Sequence, residues 1–502
     1  MKRERTEELL ELIRAAEAKH AAFTHAMGIL QYDQETVAPE ESGEGRGRTM
    51  GMLGGLDYEL MTDEKMKAAV DELLEDEDSL DDYEKREAKL LKKGIKELSA
   101  IPQDEYVEFI VLVDAAQVAW RKAKLSNDFE LFAPYLEKIV ATNIKFAGYY
   151  NSELAPYDAL IDRYEEGMNM KTLDEFFDKL RNGLKPLIEK IAEKDQIDDS
   201  FLRRSYPVET QREFSHAVMD MMGLDSKRLI LGESEHPFTE NFNNHDVRIT
   251  THFHENALES SMFSVLHEGG HAMYELNVED KYNWTVFAGG VSMGIHESQS
   301  RFYENIIGRS FEFTRPLLEC AKKFFPEQLS DVSHEMFWKA VNKTESSLIR
   351  TEADELTYAF HVMIRYEIEK KMIDGSLAIK DVPKAWDDLY EEYLGVRPSN
   401  YTEGCLQDTH WSGGSLGYFP TYALGSAYGA QMLSVMEKDV PELWKSVEKG
   451  DLSKVTAWLA EHIHRHASYY KPNEVFENAC GKFDAQYFVD YLTEKYTKIY
   501  EL

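Results

Sequence analysis

Residues 256–271 read NALESSMFSVLHEGGH, an apolar stripe followed by a short polar and glycine-rich cluster. From Leu258 to Leu266 the apolar side chains recur every three or four residues, which predicts an amphipathic α-helix. If that helix continues, His267 and His271 lie one turn apart and project from the same face. The stretch therefore predicts a helix that carries two imidazoles side by side.

The segment His267–His271 is an H-E-x-x-H sequence. Two imidazoles at this spacing can bind one Zn²⁺, and the intervening Glu268 is turned by roughly 100° from His267, beside a metal rather than on it. A carboxylate in that position can act as a general base toward a metal-bound water. Gly269 and Gly270 each cost about 1 kcal/mol of helix propensity relative to Ala, so we expect another segment to approach closely here.

A third metal ligand is indicated at Glu297, within the sequence His296-Glu297-Ser298. It lies in a second amphipathic stretch, residues 291–307, and a Glu from a later helix completes the His, His and Glu set of a gluzincin, which leaves one coordination position for water. The alternative interpretation is that all three are solvated side chains. The pattern and the position of the third residue favour the metal site.

Helical periodicity extends outward from this stretch through most of the chain. It begins near Leu9 and recurs in the remaining segments, which are residues 63–98, 104–124, 131–150, 171–194, 207–223 and 310–502. No internal repeat, low-complexity tract or Pro/Ser-rich linker separates them. We therefore predict an all-α, mostly helical fold in a single catalytic domain over residues 1–502.

Two segments depart from this periodicity. Residues 39–55 are rich in glycine but have neither a preceding strand nor the G-K-[ST] ending of a phosphate-binding loop, so we expect a flexible connection. Residues 246–253 alternate in polarity, with Val247 and Ile249 on one face and Arg248 on the other. That period of two predicts a half-buried strand, which we place at the edge of a small β-sheet.

The composition excludes several classes of protein. The 502 residues carry a formal charge of −35, which argues against nucleic acid and against an anionic membrane surface as partners. No apolar stretch approaches the roughly 18 residues of a membrane span, and the N-terminus has no signal core. The three cysteines are scattered and do not form a disulfide framework. We expect a soluble, cytoplasmic protein.

Six motifs together resemble those of the carboxypeptidase Taq family, the thermostable metallocarboxypeptidases. They are His236-Pro237-Phe238, Asp246-Val247-Arg248-Ile249-Thr250, His267-Glu268-Gly269-Gly270-His271, His296-Glu297-Ser298, Ile349-Arg350-Thr351-Glu352-Ala353-Asp354, and the run from Gly404 to Trp411, GCLQDTHW. With residues 32–36 included, the similarity covers nearly the whole chain. Any one motif is weak evidence, whereas six in order are specific.

The resemblance implies a two-lobed helical body with a deep active-site groove. Our own hypothesis is that the N-terminal helices, residues 1–100, form a cap over this groove. The resemblance also implies a carboxypeptidase that removes C-terminal residues one at a time from peptides with a free C-terminus, with broad side-chain preference, and that forms a homodimer. By motif match, His267, His271 and Glu297 hold the metal, which is Zn²⁺ with Co²⁺ as a substitute. Glu268 is then the general base.

Five other residues, and one alternative to them, have predicted roles at the substrate. A free α-carboxylate is bound best by an Arg fork, for which Arg350 is our first choice and Arg248 the rival. His410 and Tyr422 are similar to the pair that stabilises the oxyanion in related helical peptidases, and Tyr418 is the alternative tyrosine. His236 precedes a proline, so its backbone is expected to be extended, either lining the groove or in a structural loop.

Two questions remain open from the sequence. Several gluzincins have an Asp four residues after the ligand Glu, where it orients a metal-bound His, but this chain has Arg301 there, so Asp354 is our candidate for that role.

The alternative function is an endo-acting oligopeptidase with the same metal chemistry, and a helical binding scaffold is the third hypothesis. An extended peptide adding to the strand at residues 246–253 would fit a broad exopeptidase.

Overall fold

The computed structural model describes residues 3–502, which are 69% helical and include one small sheet of three strands. The first half contains α1 Arg3–Thr36, α2 Gly43–Met61, α3 Glu64–Glu75, α4 Asp82–Ala100, α5 Gln103–Ser126, α6 Ala133–Tyr150, α7 Pro156–Asp162, α8 Met170–Ala192 and α9 Val208–Met222. The predicted mostly helical fold is confirmed.

The second half begins with the sheet and continues with helices. Its elements are β1 Leu229–Glu233, β2 Thr239–Asn243, β3 Asp246–Thr251, α10 Leu258–Leu276, α11 Met293–Arg301, α12 Phe311–Phe324, α13 Pro326–Leu329, α14 His334–Val341, α15 Glu355–Ile373, α16 Val382–Leu394, α17 Pro420–Asp439, α18 Leu443–Val447, α19 Ser453–His462, α20 Pro472–Cys480 and α21 Gln486–Tyr500. A π-helical segment, Phe302–Ile307, directly follows α11.

The glycine-rich residues 39–55 are not the flexible connection that we expected. From Gly43 they form α2, which runs to Met61 and packs along α1 although none of its side chains is buried. Arg46 donates hydrogen bonds to Gln34 and Ser42, which ties the start of α2 to the end of α1. Packing against a neighbouring helix thus outweighs the low helix propensity of glycine.

The predicted strand exists, but its placement at an edge of the sheet is wrong. The strand order is β1-β3-β2, so β3 is central, paired in parallel with β1 and antiparallel with β2. Val247 and Ile249 are fully buried, as the alternation predicted. A peptide cannot add to β3, because both of its hydrogen-bonding edges are occupied.

Two main apolar cores lie in the described residues, beside a small third cluster formed by Val278, Tyr282, Phe287 and Ala467. The larger extends from α5 to α21, and α10 with its metal-site motif runs through it. The smaller joins α1, α3 and α4 through side chains such as Leu10, Val70 and Leu91. An N-terminal body with its own core is compatible with the predicted cap, and the single domain over residues 1–502 stays a prediction, of which residues 1 and 2 lie outside the described range.

None of the described helices is long and apolar enough to span a bilayer. Cys320, Cys405 and Cys480 are all free thiols, as the scattered positions predicted.

Candidate active site

Close packing at two glycines of α10 brings α11 against Gly270 and the end of α9 against Gly269. A Cβ on Gly270 would lie 2.5 Å from the carbonyl oxygen of Gln299, and one on Gly269 would lie 2.6 Å from Cε of Met222. The neighbours of Gly270 are backbone atoms that cannot move aside, so this contact requires glycine, whereas the flexible end of Met222 beside Gly269 could shift. The expected close approach is therefore confirmed, and it sets α11 directly beside His267 and His271.

The side chains of His267, His271 and Glu297 converge on one point. Nε2 of His267 lies 3.6 Å from Oε2 of Glu297, and Nε2 of His271 lies 3.5 Å from the same oxygen. The donor atoms of the three groups lie within 4.8 Å of one another. Two imidazoles and one carboxylate at this separation suit a divalent cation such as zinc. Glu297 is brought this close by Gly425 of α17, where a Cβ would lie 2.7 Å from the Cβ of Glu297.

The other ring nitrogen of His267 is held by a carboxylate. Its Nδ1 lies 2.8 Å from Oε2 of Glu304, which belongs to the π-helical segment. Burial alone would raise the pKa of Glu304, but the charges of Arg301 and His267 outweigh it and lower that pKa to about 2. Glu304 is therefore an ionised acceptor, and Nδ1 of His267 donates to it, which leaves Nε2 on the side of Glu297, where a metal could be bound.

His271 is held instead by a second histidine. Nδ1 of His271 lies 2.6 Å from Nδ1 of His296, whose Nε2 lies 2.7 Å from Oε1 of Glu275. Because a carboxylate only accepts, Nε2 of a neutral His296 donates to Glu275, so its Nδ1 accepts. Nδ1 of His271 must then donate, and its Nε2 lone pair faces Glu297. The chain Glu275–His296–His271 thus selects the tautomer that a metal requires.

Asp354 does not orient a histidine, so that hypothesis is wrong. Its carboxylate accepts hydrogen bonds from the backbone N–H groups of Leu356 and Thr357, which makes it the N-cap of α15. Arg301, which occupies the position where related sites have an Asp, donates from Nε to Oε1 of Glu297 at 2.7 Å. It therefore holds the ligand carboxylate rather than a ligand imidazole.

Glu268 lies beside the converging ligand atoms and is only 7% exposed. The hydroxyl of Thr239, on β2, lies 2.6 Å from Oε2 of Glu268 and donates to it. Burial raises the pKa of Glu268, whereas His267 and the hydrogen bond from Thr239 oppose that rise. Sheet and helix together fix the direction of this carboxylate.

His410 and Tyr422 are brought together, as the family resemblance implied. Nε2 of His410 lies 3.2 Å from the hydroxyl of Tyr422, and burial lowers the pKa of His410 to about 4, so the ring is neutral near pH 7. Tyr418 packs edge-on against Tyr422 with ring centroids 5.2 Å apart. Both tyrosines are close enough to Glu297 for its charge to raise their pKa further, after burial.

The loop that carries His410 is anchored by a buried carboxyl group, Glu369 on α15. Glu369 accepts from the hydroxyl of Tyr157, from the indole N–H of Trp411 and from the backbone N–H of Gly417, each at 2.8 Å. Burial raises the pKa of Glu369 to about 7, against the effect of these donors. The anchor holds both ends of the segment that follows His410.

Arg350 is buried and only partly free to bind a substrate. Its Nε and Nη2 donate to Oδ1 of Asp408 at 3.0 and 2.8 Å, and its Nη1 donates to the hydroxyl of Tyr358 at 3.1 Å. A second guanidinium, Arg365, donates to the other oxygen of Asp408 at 2.6 Å. Two cations share one anion, so a net positive charge remains beneath Tyr422, whose ring lies 5.0 Å from the Arg350 guanidinium.

The two remaining predicted residues lie away from this group. Arg248 forms a bidentate pair with Asp246, at 3.1 and 3.0 Å, and its guanidinium lies against the rings of Tyr32 and Phe242. His236 is exposed in the connection between β1 and β2, where the hydroxyl of Ser234 donates to its carbonyl oxygen. The structure does not bring either residue to the point where His267, His271 and Glu297 converge.

Sequence reasoning missed the residues that support the ligands. They are Thr239, Glu275, Glu304 and the imidazole of His296. His296 had a signal, since it directly precedes Glu297. The two glutamates had none, because the chain contains 92 acidic residues and most of them are solvated.

Comparisons with known proteins show which family the chain resembles over its length. The family model described as "Carboxypeptidase Taq (M32) metallopeptidase" matches residues 13–496. The chain is 39% identical over 482 residues to Carboxypeptidase 1 of Bacillus subtilis, covering 96% of each chain, and 38% identical to Thermostable carboxypeptidase 1 of Pyrococcus furiosus, covering 95% and 96%. The solved M32 carboxypeptidase from Deinococcus radiodurans R1 superposes with a TM-score of 0.96 at 34% identity, covering 99% and 100%.

Proposed function

This chain belongs to the carboxypeptidase Taq (M32) family of metallopeptidases, and on that premise we propose that His267, His271 and Glu297 hold its catalytic metal. The protein is a metallocarboxypeptidase, as the sequence predicted, and its family implies a divalent metal. The observation that carries the ligand proposal is the convergence of three donor atoms within 4.8 Å, with the far nitrogen of each imidazole already engaged. Zinc, with cobalt as a substitute, is the metal that this donor set favours.

A divalent metal at this point supplies Lewis-acid activation of a water and of the scissile carbonyl. Glu268 is proposed to accept the proton of that water and to pass it to the leaving amine. The hydrogen bond from Thr239 occupies one carboxylate oxygen of Glu268 and leaves Oε1 to receive the proton. Burial, which raises the pKa of Glu268, makes it a better base.

We propose that Tyr422 donates a hydrogen bond to the oxyanion of the tetrahedral state. Its hydroxyl oxygen lies 3.2 Å from Nε2 of His410, and a neutral imidazole that donates from Nε2 to this oxygen leaves the single hydroxyl proton of Tyr422 for the oxyanion. Tyr418 is the alternative donor, since it packs against Tyr422. The contact with His410 favours Tyr422.

Arg350 is the better candidate of the two arginines for the substrate carboxylate. A guanidinium has five N–H donors, and the contacts to Asp408 and Tyr358 use three of those of Arg350. The neighbouring Arg365 adds a second positive charge against the single carboxylate of Asp408. Arg248, by contrast, is neutralised by its own Asp246.

The peptide backbone is proposed to bind along β2 rather than β3. The N–H of Thr250 donates to the carbonyl of Phe238, so residues 238 and 250 are a hydrogen-bonded pair of the antiparallel ladder. The backbone groups of Thr239 and Asn241 therefore point away from β3, toward the free edge. Main-chain hydrogen bonds there would hold a peptide beside Glu268 without reading its side chains, which suits a broad preference.

The homodimer and the cytoplasmic location that the sequence suggested stay proposals. Light scattering of the purified protein at micromolar concentration tests the first, with a mass near twice 58.0 kDa expected.

One experiment tests the proposed site directly. One peptide with a free C-terminus and the same peptide amidated are followed by mass spectrometry with zinc or cobalt, beside a chelated control and Glu268→Gln. Stepwise loss of single residues from the free peptide only, abolished by either control, supports the assignment. Internal cuts in both peptides would instead favour an oligopeptidase and would remove the argument for Arg350.

A further inference from the structure

A cavity of about 530 Å³ lies beneath α1 and α4, next to β2 and the segment 283–289. Among the described residues that line it there is no Lys or Arg. Four carboxyl groups line it, those of Glu17, Asp57, Glu240 and Glu275. The other titratable side chains in the described part of the wall are two histidines, His20 and His25. A chamber with this lining favours a cation.

Only one of the four carboxyl groups lacks a hydrogen-bond partner. The others are engaged: Glu275 with His296 and the N–H of Gly290, Asp57 with His20 at 2.7 Å, and Glu17 with the N–H of Val286 and the carboxyl group of Glu87. Glu240 makes no hydrogen bond or ion pair within the described residues. Burial raises the pKa of Glu240, and the charge of nearby Arg248 opposes that rise. Arg248 makes no hydrogen bond to Glu240, because its Nε and Nη2 donate to Asp246.

The fold makes room for this carboxylate. A Cβ on Gly28 of α1 would lie 3.0 Å from Oε1 of Glu240 and 2.9 Å from the ring of Phe242. Successive residues of a strand point to opposite faces, so Thr239 faces Glu268 on α10 while Glu240 and Phe242 face α1. Glu240 therefore directly follows Thr239, the residue of β2 that contacts the proposed general base Glu268, and lies on the opposite face of the strand, toward the cavity.

Side-chain contacts connect the cavity to His271 of the proposed metal group and connect Arg350 to His267. Glu275, in the cavity wall, lies one turn of α10 after His271 and is linked to it through His296. Arg350 is reached from His267 instead, along the contacts of Glu304, Arg301 and Tyr358. If a peptide places its C-terminal carboxylate at Arg350, the residues before the scissile bond extend toward the cavity.

We propose that this cavity is a substrate subsite on the N-terminal side of the scissile bond, in which Glu240 binds a cationic group of the peptide. That group is a Lys or Arg side chain or the N-terminal ammonium group of a short peptide. A chain along the free edge of β2 advances about 3.3 Å per residue, so a side chain one to three residues before the scissile bond reaches Glu240. This inference rests on the proposed function, because it takes the direction of the peptide from Arg350.

The test uses N-acetylated peptides that differ only at one of these positions, with Lys or norleucine, and the norleucine peptide without its acetyl group. The ratio kcat/KM is measured for metal-loaded wild type, Glu240→Gln and Glu494→Gln, the last being an exposed carboxylate on α21 that changes the net charge equally. Wild type and Glu494→Gln are expected to prefer a cationic peptide about tenfold, and Glu240→Gln to prefer neither. The acetylated and free peptides show whether a side chain or the terminal amine is bound.

A charge reversal sharpens the result. Glu240→Lys should prefer a Glu peptide over the Lys peptide, which no loss of folding can imitate. Equal rates for Lys and norleucine in wild type would overturn the inference, as would an equal loss for all peptides in Glu240→Gln, which would make Glu240 structural. If no peptide loses its C-terminal residue in any variant, the proposed function has failed rather than this subsite.

Discussion

The two ends of the proposed groove carry opposite charge. At one end Arg350 and Arg365 share the single carboxylate of Asp408, which leaves a positive charge beside Tyr422. At the other end Glu240 stands without an ion pair in a cavity whose described wall contains no basic residue other than histidine. Partly buried charges interact more strongly than exposed ones. This difference indicates that opposite charges at the two ends of the groove, rather than a tight pocket at either end, can orient a peptide over the metal group.

The largest expected effect belongs to the residue between the two ends. Glu268→Gln keeps the size of the side chain and its contact with Thr239 but removes the base. We expect kcat to fall by about a thousandfold for every peptide, whatever its charge, since general bases contribute 10²–10⁴-fold. Steady-state rates on the free-acid peptide measure this. If the loss of kcat depended on the charge of the peptide, Glu268 would act by attracting or repelling the peptide rather than as the base.

The next effect compares the two arginines. Arg350→Gln should lower kcat/KM for a peptide with a free C-terminus by about a hundredfold, because a charge-assisted fork to the carboxylate is lost. Arg248→Gln, at the other end, should change it by less than about threefold, because Asp246 already neutralises it. Thermal melts of both variants show whether each remains folded. Equal losses in the two variants would contradict the choice of Arg350.

The residues that accept hydrogen bonds from the two imidazoles are expected to affect the affinity for the metal. His296→Ala removes the acceptor of His271, and Glu304→Gln weakens that of His267. Each should weaken metal affinity by about 10- to 100-fold, as losses of such acceptors do elsewhere. Competition with a chelator of known affinity measures this without any activity assay. Unchanged affinity in His296→Ala would show that the chain to Glu275 does not position His271.

The smallest effect concerns pH and the anchor of the His410 loop. Because burial raises the pKa of Glu369 to about 7, the folded protein binds this proton more tightly than the unfolded chain does. The stability that follows is fully present below the unfolded pKa of 4.5 and is lost as the pH rises through 7. Glu369→Gln cannot ionise, so its Tm relative to wild type should improve by about 2 °C from pH 5.5 to pH 8. A Tm difference that is constant across this range would argue against a titrating Glu369.

Prediction from the sequence succeeded for features that depend on neighbours along the chain. The helix around His267, the strand at Val247 and Ile249, and the close approach at Gly270 are all local patterns of period and residue size. It failed where a second element decided the outcome. Residues 43–61 are helical because they pack along α1, and β3 is central because β1 and β2 pair with both of its edges.

The sequence by itself determined a helical metallocarboxypeptidase, because the order of its motifs identifies the family. It also predicted that two imidazoles and Glu297 form one metal group, because the turn of a helix sets the spacing of H-E-x-x-H. Only the tertiary structure decided what holds those groups. Glu304 and Glu275 look like any other acid in a chain with 92 of them, and their roles depend on helices and loops that meet only in the fold. Likewise Arg350 and Arg248 each lie in a motif, and only the charges packed around them distinguish the two. Arg350 shares the carboxylate of Asp408 with a second arginine and keeps a net positive charge, whereas Arg248 is neutralised by Asp246.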